Sequence, residues 1–231
     1  MIKNKKVLVI IPAYNEADNI VKTVEDVIHN APGADYIVIN DGSKDNTLDI
    51  LKEKKYNHID LMQNLGLFGA VQTGLKYALI NDYDVAIQFD GDGQHQAKYI
   101  KELVETLDDN DIVIGSRFVG SKRPLTLRMI GSRLITSAIA IVSRKIIYDP
   151  TSGMRAYNKE TIADYANDIN NPPEPDTLAY MILKGKKIKE IKVEMNDREF
   201  GESSFNFSHT VKYMFRMFIS IFLIQPFRER K

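Results

Sequence analysis

The sequence predicts an α/β fold, a mostly parallel open sheet flanked by helices and followed by a C-terminal amphipathic helix. Three observations carry that expectation. Short aliphatic runs alternate with stretches of helical periodicity over the first half of the chain. The order strand–helix–strand repeats without long interruptions, as parallel sheets require. Each apolar run also empties into a polar motif, and open parallel sheets bind ligands beyond the carboxyl ends of their strands.

Val7-Leu8-Val9-Ile10-Ile11 reads as a buried strand closed by Pro12, which cannot donate to a ladder. Asn15 to Asn30 has helical spacing through Ile20, Val24, Val27 and Ile28. Residues 34–40 form a second strand, ended by Asp41-Gly42-Ser43, and a helix follows from about Asp45 to Lys55. Ile59 to Met62 is a third strand and Gly69 to Ile80 a third helix. Val85 to Phe89 is the fourth strand, Ala97 to Leu107 a helix, and Asp111 to Gly115 the fifth strand. Beyond residue 116 the alternation lapses. Thr126 to Tyr148 is expected to be helical and Asp149 to Tyr157 a loop. Pro172-Pro173-Glu174-Pro175 forces extended backbone before a helix from Asp176 to Lys184. Lys189 to Met195 alternates like an edge strand, and His209 to Gln225 is the most apolar helix candidate. No repeat or low-complexity linker divides the chain, so the expected organisation is a catalytic domain over 1–207 and a membrane-interface or oligomerisation helix over 208–231.

The 231 residues carry equal numbers of acids and bases, 31 each, so no global field marks a nucleic-acid binder. That neutrality hides an asymmetry: from Ile112 to Tyr148 the charged residues are Arg117, Lys122, Arg123, Arg128, Arg133, Arg144 and Lys145, with no acid among them. The absence of cysteine excludes thiol catalysis and thiolate metal sites. The basic N-terminus precedes an apolar run too short for a signal peptide, so residence in the cytoplasm is expected.

Asp90-Gly91-Asp92-Gly93-Gln94-His95 closes the fourth strand with two carboxylates at i and i+2. Two unpaired carboxylates are too costly to bury. Hard oxygen ligands at a strand end suit Mg²⁺ or Mn²⁺, which recruit phosphate oxygens and waters to finish their shell. A solvated Asp-Gly turn accounts equally well for this stretch taken alone.

Taken together, IPAYNE (Ile11–Glu16), NDGSKDNT (Asn40–Thr47), NLGLFGAVQTG (Asn64–Gly74) and FDGDGQH (Phe89–His95) resemble the family 2 glycosyltransferases of the GT-A fold. Within them the chain is most similar to the polyprenyl-phosphate sugar transferases, the group of dolichyl-phosphate mannose synthase, over roughly residues 5–206. Each motif alone is weak; four in this order on strand ends are specific. The resemblance implies that Pro12, Tyr14 and Glu16 wall a nucleotide pocket and that Asp41 reads the nucleobase. Where the family more often has two aspartates, this chain has Asn40 before Asp41. Asn64, Gly66, Gly69 and Ala70 match the segment that lets backbone approach the nucleotide. Asp90, Asp92 and Gln94 match the metal-binding signature, with Mg²⁺ or Mn²⁺ bridging the donor's two phosphates, and His95 stands behind it or in the loop. Arg198, Gly201 and Ser203 match a late segment that closes over the diphosphate.

The same resemblance gives the basic stretch a role. Arg117, Arg128, Ser132 and Arg133 match the residues that hold the acceptor's phosphate, a task suited to the planar guanidinium fork. Asp92, Arg117 and Arg128 are the expected catalytic residues. Arg155 is expected to be structural. A phosphate monoester acceptor is already an anion and needs positioning rather than deprotonation. Glu174 and Asp176 are therefore expected to bind sugar hydroxyls or orient an arginine.

The tail stripe Val211, Met214, Phe215, Phe218, Ile219, Phe222, Leu223 carries Lys212 and Arg216 and is too short and charged for a span. An in-plane helix at the cytoplasmic membrane face fits it, with a buried core helix and oligomer packing as alternatives. The expected function is metal-dependent, inverting transfer of a sugar from a nucleotide-diphospho-sugar to polyprenyl (undecaprenyl) phosphate. UDP-glucose or UDP-N-acetylglucosamine is the favoured donor, and a small membrane protein or a second subunit an additional partner. The rivals are transfer to a glycan hydroxyl and a catalytically silent nucleotide-sugar binding subunit. The absence of tryptophan excludes the Q-x-x-R-W signature of processive synthases.

Overall fold

Strand periodicity explains the architecture. In β1 (Val7–Ala13), Leu8 and Ile10 point to one face and Val7, Val9 and Ile11 to the other, and all are buried. A strand buried on both faces needs cover on both, and helices supply it. The computed structural model describes residues 1–121, 127–168, 172–196 and 207–229.

The sheet has seven strands in the order β3-β2-β1-β4-β6-β5-β7. They are β1, β2 (Asp35–Asn40), β3 (His58–Asp60), β4 (Val85–Gln88), β5 (Ile112–Ser116), β6 (Arg155–Asn158) and β7 (Ile188–Lys192). β1 pairs in parallel with β2 and β4, β2 with β3, and β5 with β7. β6 alone runs antiparallel, between β4 and β5.

One face packs α1 (Ile20–Asn30), α2 (Thr47–Glu53) and α4 (Ile100–Thr106) through Ile20, Val24, Leu51, Ile100 and Leu103. The other packs α3 (Leu67–Ile80), α5 (Leu127–Ser143), α6 (Lys159–Asn167), α7 (Thr177–Leu183) and α8 (Phe207–Ile219). After α8 the helix widens into a π turn at Ser220–Ile224 and ends in a 3₁₀ turn at Gln225–Phe227. No helix among the described residues is long and apolar enough to cross a membrane.

The expected α/β sheet and C-terminal helix are present, with three departures. Residues 149–157 are not all loop, because Arg155 begins β6. Its Ala156 and Tyr157 are fully buried, and Gln88 faces Arg155 across the ladder. The helix α6 carried a readable start signal. Asn158 accepts a hydrogen bond from the Thr161 N–H at 2.9 Å, and Ile162, Tyr165 and Ala166 then follow at helical spacing. Finally, α1 begins only at Ile20, since residues 14–19 are spent on a loop that belongs to the site.

Candidate active site

Two loops at the carboxyl ends of β1 and β2 are stitched together by short polar side chains. The Asn15 N–H donates to Ser43 Oγ at 3.0 Å, and Asn15 Oδ1 accepts from the Lys44 N–H at 2.8 Å. The Glu16 N–H donates to Thr47 Oγ1 at 3.0 Å, and the Ala17 N–H to Asp45 Oδ2 at 3.1 Å. Thr47 also donates to Asp45 through both its amide and its hydroxyl. Burial would raise the Asp45 carboxyl, but the Thr47 and Ala17 donors hold it below its ordinary value. These bonds satisfy backbone groups that a loop would otherwise leave to water.

A third loop closes on the first two. Gly42 sits at φ +67°, and a Cβ there would lie 2.9 Å from the Asn64 amide nitrogen, so only glycine lets the two backbones pass. Asp41, 2% exposed, accepts the Leu65 N–H at 2.7 Å. Burial pushes its carboxyl above the ordinary value, against the pull of the Leu65 and Gly66 amides.

Between these loops and the end of β4 lies a cavity of about 430 Å³. Pro12, Tyr14, Glu16, Asp41, Asn64, Asp90 and Asp92 all line it, drawn from four separate sequence motifs. Gly69 does not; Gly66, Leu67 and Ala70 supply that wall, and Gly69 instead packs against Leu65. Gln94 is also absent from the lining. Its backbone N–H donates to Asp92 Oδ1 at 3.1 Å, so at least its main chain braces the carboxylate.

Asp90 is held from three sides. Gln88 Nε2 donates to Oδ1 at 3.3 Å, and His95 Nε2 lies 3.6 Å from Oδ2. On the third side is Gly153, where a Cβ would fall 1.7 Å from Oδ2. Burial alone would raise the Asp90 carboxyl; His95, Gln88 and the Arg155 charge bring it below its ordinary value. His95 is itself 5% exposed and packs its ring on Phe89 at 5.5 Å. It is thus a loop residue whose buried side chain buttresses Asp90.

Asp90 and Asp92 present acceptor-only oxygens to the same cavity, a donor set that fits a hard divalent cation. No cluster of three or more His, Asp, Glu or Cys side chains able to hold a metal occurs among the described residues. Two carboxylates are few for an octahedral ion, so oxygens of a bound diphosphate and water would complete the shell.

On the far side of Asp90 the site is built from charge pairs. Arg117 donates through Nε and Nη2 to the two oxygens of Asp149, at 2.7 and 2.8 Å, and its amide adds a third bond at 3.1 Å. The Asp149 side chain is fully buried and that of Arg117 is 25% exposed. Burial would depress the Arg117 guanidinium; Asp149, and Asp90 beyond it, raise it instead. Arg155, 2% exposed, donates to the carbonyls of Ser152, Pro173 and Pro150. Through these bonds it ties the 149–153 loop to the 172–176 loop.

The remaining expected residues are dispersed. Ser132 and Arg133 lie on α5, where Ser132 Oγ is buried with no hydrogen-bond partner among the described residues. Arg128 falls on α5 with its side chain outside the described set, and Arg198, Gly201 and Ser203 lie outside the described residues altogether. Glu174 pairs with Arg216 of α8, matching the expectation that it orients an arginine. Asp176 accepts from Ser220 Oγ and from Gln225 Nε2, the latter at 3.0 Å. Neither carboxylate lines the nucleotide-sized cavity.

The profile of Glycosyl transferase family 2 matches residues 8–166, which include every residue lining the 430 Å³ cavity. The chain belongs to that family. The transferase is 33% identical over 185 residues to UDP-N-acetylglucosamine–dolichyl-phosphate N-acetylglucosaminyltransferase of Methanococcus voltae, covering 69% of this chain and 72% of the relative. It is 29% identical to undecaprenyl-phosphate mannosyltransferase of Micrococcus luteus over 211 residues, 86% of each chain. Among solved structures it resembles glucosyl-3-phosphoglycerate synthase of Mycobacterium tuberculosis in complex with Mn²⁺, UDP and phosphoglyceric acid. That likeness has a TM-score of 0.71 at 16% identity, covers 98% of this chain and 80% of the other, and speaks to fold alone.

Proposed function

We propose that this family 2 glycosyltransferase moves a sugar from a nucleotide-diphospho-sugar to polyprenyl phosphate. The convergence of Tyr14, Glu16, Asp41, Asn64, Asp90 and Asp92 on one cavity carries the reading. Tyr14, 41% exposed, offers a ring face to a base or ribose, and Glu16 and Asp41 offer acceptors to ribose hydroxyls and a base N–H. A divalent cation held by Asp90 and Asp92 would supply Lewis-acid stabilisation of the departing diphosphate. Gln88, His95, Gly153 and the Gln94 amide fix the two carboxylates for that task.

The acceptor side needs an anion holder and no base. Arg117, preset by Asp149 and close enough to feel Asp90, is the candidate holder, with Arg128, Ser132 and Arg133 following on α5. Glu174 and Asp176 are occupied by α8 and the turns after it, which agrees with an acceptor that arrives ionised. The reaction is then a direct in-line displacement with inversion at the anomeric carbon. The name of the M. voltae relative favours UDP-N-acetylglucosamine as donor, and UDP-glucose is the second choice.

Residues 208–231 form the membrane-facing part of this reading, at the cytoplasmic leaflet. Phe215, Leu223 and Phe227 are 68, 65 and 80% exposed, while Met217 and Ile221 on the opposite side are buried in the core. The helix therefore has one face for the protein and one for lipid. Phe215→Glu with Leu223→Glu is expected to abolish co-sedimentation with anionic vesicles; unchanged sedimentation would reject this part. For the reaction itself, membranes bearing the protein are incubated with a panel of labelled sugar nucleotides and extracted with organic solvent. Label in the lipid phase is the expected result, and label found only in a polymer or in free sugar would overturn the assignment.

A further inference from the structure

The strand β7 carries a glutamate that its place in the sheet does not explain. Lys189 and Lys192 are exposed, as charges on an edge strand should be, while Ile188 and Ile191 are buried. Glu190 is half-buried among them and stands opposite Ile114 of β5. Both of its oxygens are taken. Oε2 accepts the Tyr148 N–H and Oε1 the Asp149 N–H, each at 2.7 Å. One ionised carboxylate thus holds two successive backbone amides, one on each oxygen. A glutamine of the same shape could hold only one, because its own nitrogen would face the other N–H. Burial pushes the Glu190 carboxyl above its ordinary value, against the pull of the two amides and of Ser116. Lys145 Nζ donates to the Ile188 carbonyl at 2.6 Å, so β7 grips the segment after α5 at a second point.

What this grip aims is Asp149. The buried Asp149 carboxylate receives Nε, Nη2 and the backbone N–H of Arg117. A single residue therefore separates Glu190 from the guanidinium: Asp149 has its amide on the first and its carboxylate on the second. Any shift of the amide carries the carboxylate, and the arginine with it. A group that must meet a phosphate is useful only while its aim is held. Neither Glu190 nor Arg117 lines the nucleotide cavity, so a loosened grip should leave the sugar nucleotide's own contacts in place.

We propose that Glu190 is a positioning residue for the acceptor phosphate, fixing the Asp149 loop and through it the Arg117 guanidinium. The inference rests on the acceptor role proposed for Arg117 above. Lipid-linked sugar formation by the full-length protein is measured with polyprenyl phosphate varied in detergent, then with the sugar nucleotide varied. Glu190→Gln is expected to raise the KM for polyprenyl phosphate about tenfold, the worth of one charge-assisted hydrogen bond. Its kcat and its KM for the sugar nucleotide should stay at the wild-type values, the mark of lost acceptor binding alone. Glu190→Asp keeps the charge but draws both oxygens back by one methylene, and should show the same defect. Ile162→Ala, in the core beneath α6, should lower thermal stability without raising the acceptor KM. A second readout needs no substrate. The Arg117 Nε–H, identified in NMR spectra by its loss in Arg117→Lys, should exchange with solvent about tenfold faster in Glu190→Gln. If the wild type puts no sugar on the lipid, the function proposed above fails and this exchange rate alone decides the inference. A wild-type acceptor KM in either Glu190 variant, an equal rise in the sugar-nucleotide KM, or an unchanged exchange rate overturns it. Failure of both variants to fold makes Glu190 a structural residue and overturns it as well.

Discussion

The two sides of Asp90 are built by different means. On the donor side, neutral or singly charged short side chains bond to backbone amides: Ser43 to Asn15, Thr47 to Glu16, Asp45 to Ala17, Asp41 to Leu65. The bonds shape the loops and leave Tyr14 and Glu16 on the cavity wall. On the acceptor side, charged side chains bind one another: Arg117 to Asp149, Glu174 to Arg216. The first construction makes a mould with modest cost per bond. The second concentrates its energy in the Arg117–Asp149 pair, because a buried charge that loses its partner is left uncompensated, whereas Arg216 is largely exposed and screened.

That contrast can be broken at several points. The largest effect is expected at the proposed metal-binding carboxylates: Asp92→Asn should lower lipid-linked sugar formation about 10²–10³-fold. Chelation of divalent cations should abolish the product and Mn²⁺ or Mg²⁺ restore it; full activity of the variant would remove Asp92 from the chemistry. Next is Asp149→Ala, which strands the partly buried Arg117 and should cost about 3 kcal/mol of stability by urea unfolding, the low end for a broken buried pair. UDP affinity at a temperature where the variant is folded should survive, because the donor mould does not use Asp149.

Gly153→Ala probes the seam between the two sides. Its methyl would collide with the Asp90 carboxylate, so Mn²⁺ affinity in the presence of UDP should fall about 10–100-fold, as for other disturbed supports of a ligand. The smallest effect concerns the donor mould. The Asp45 carboxyl is lowered in the folded protein from its ordinary 3.8, so it contributes stability above that value and loses it as pH falls through the folded one. Wild type should therefore exceed Asp45→Asn in urea midpoint at neutral pH, and the gap should close below about pH 4. A gap independent of pH would show that the ionised form is not what the loop uses.

The donor side was legible in the sequence because its parts are contiguous. Asn15-Glu16, Asp41-Gly42-Ser43 and Asp90-Gly91-Asp92 each pair a strand end with turn residues, and strand ends are where an open parallel sheet binds. The acceptor side was legible only as an excess of cations. Nothing in the order of residues says that Asp149 takes Arg117 and Glu174 takes Arg216 rather than the reverse, since Coulomb attraction is blind to sequence distance. Gly153 was likewise invisible as a support for Asp90, because its significance lies in the atom it lacks. The strand β6 was missed because four residues opening on an arginine do not look apolar; Arg155 is buried only because three carbonyls surround it.

The antiparallel β6 has a consequence for the order in which the molecule can be made. β1, β2 and β3 find their sheet neighbours within β1 to β4, and β4 lacks only β6, so these four strands can pair as soon as residue 88 has left the ribosome. β5 has no such luck. Its two neighbours are β6 and β7, and the nearer begins about forty residues later. At roughly 5–20 residues per second, Ile112, Val113 and Ile114 wait several seconds with both edges unpaired. The newborn chain therefore passes through a stage in which β1 to β4 can pair while the apolar strand β5 still has both edges bare, the condition in which a strand is most open to pairing with another chain.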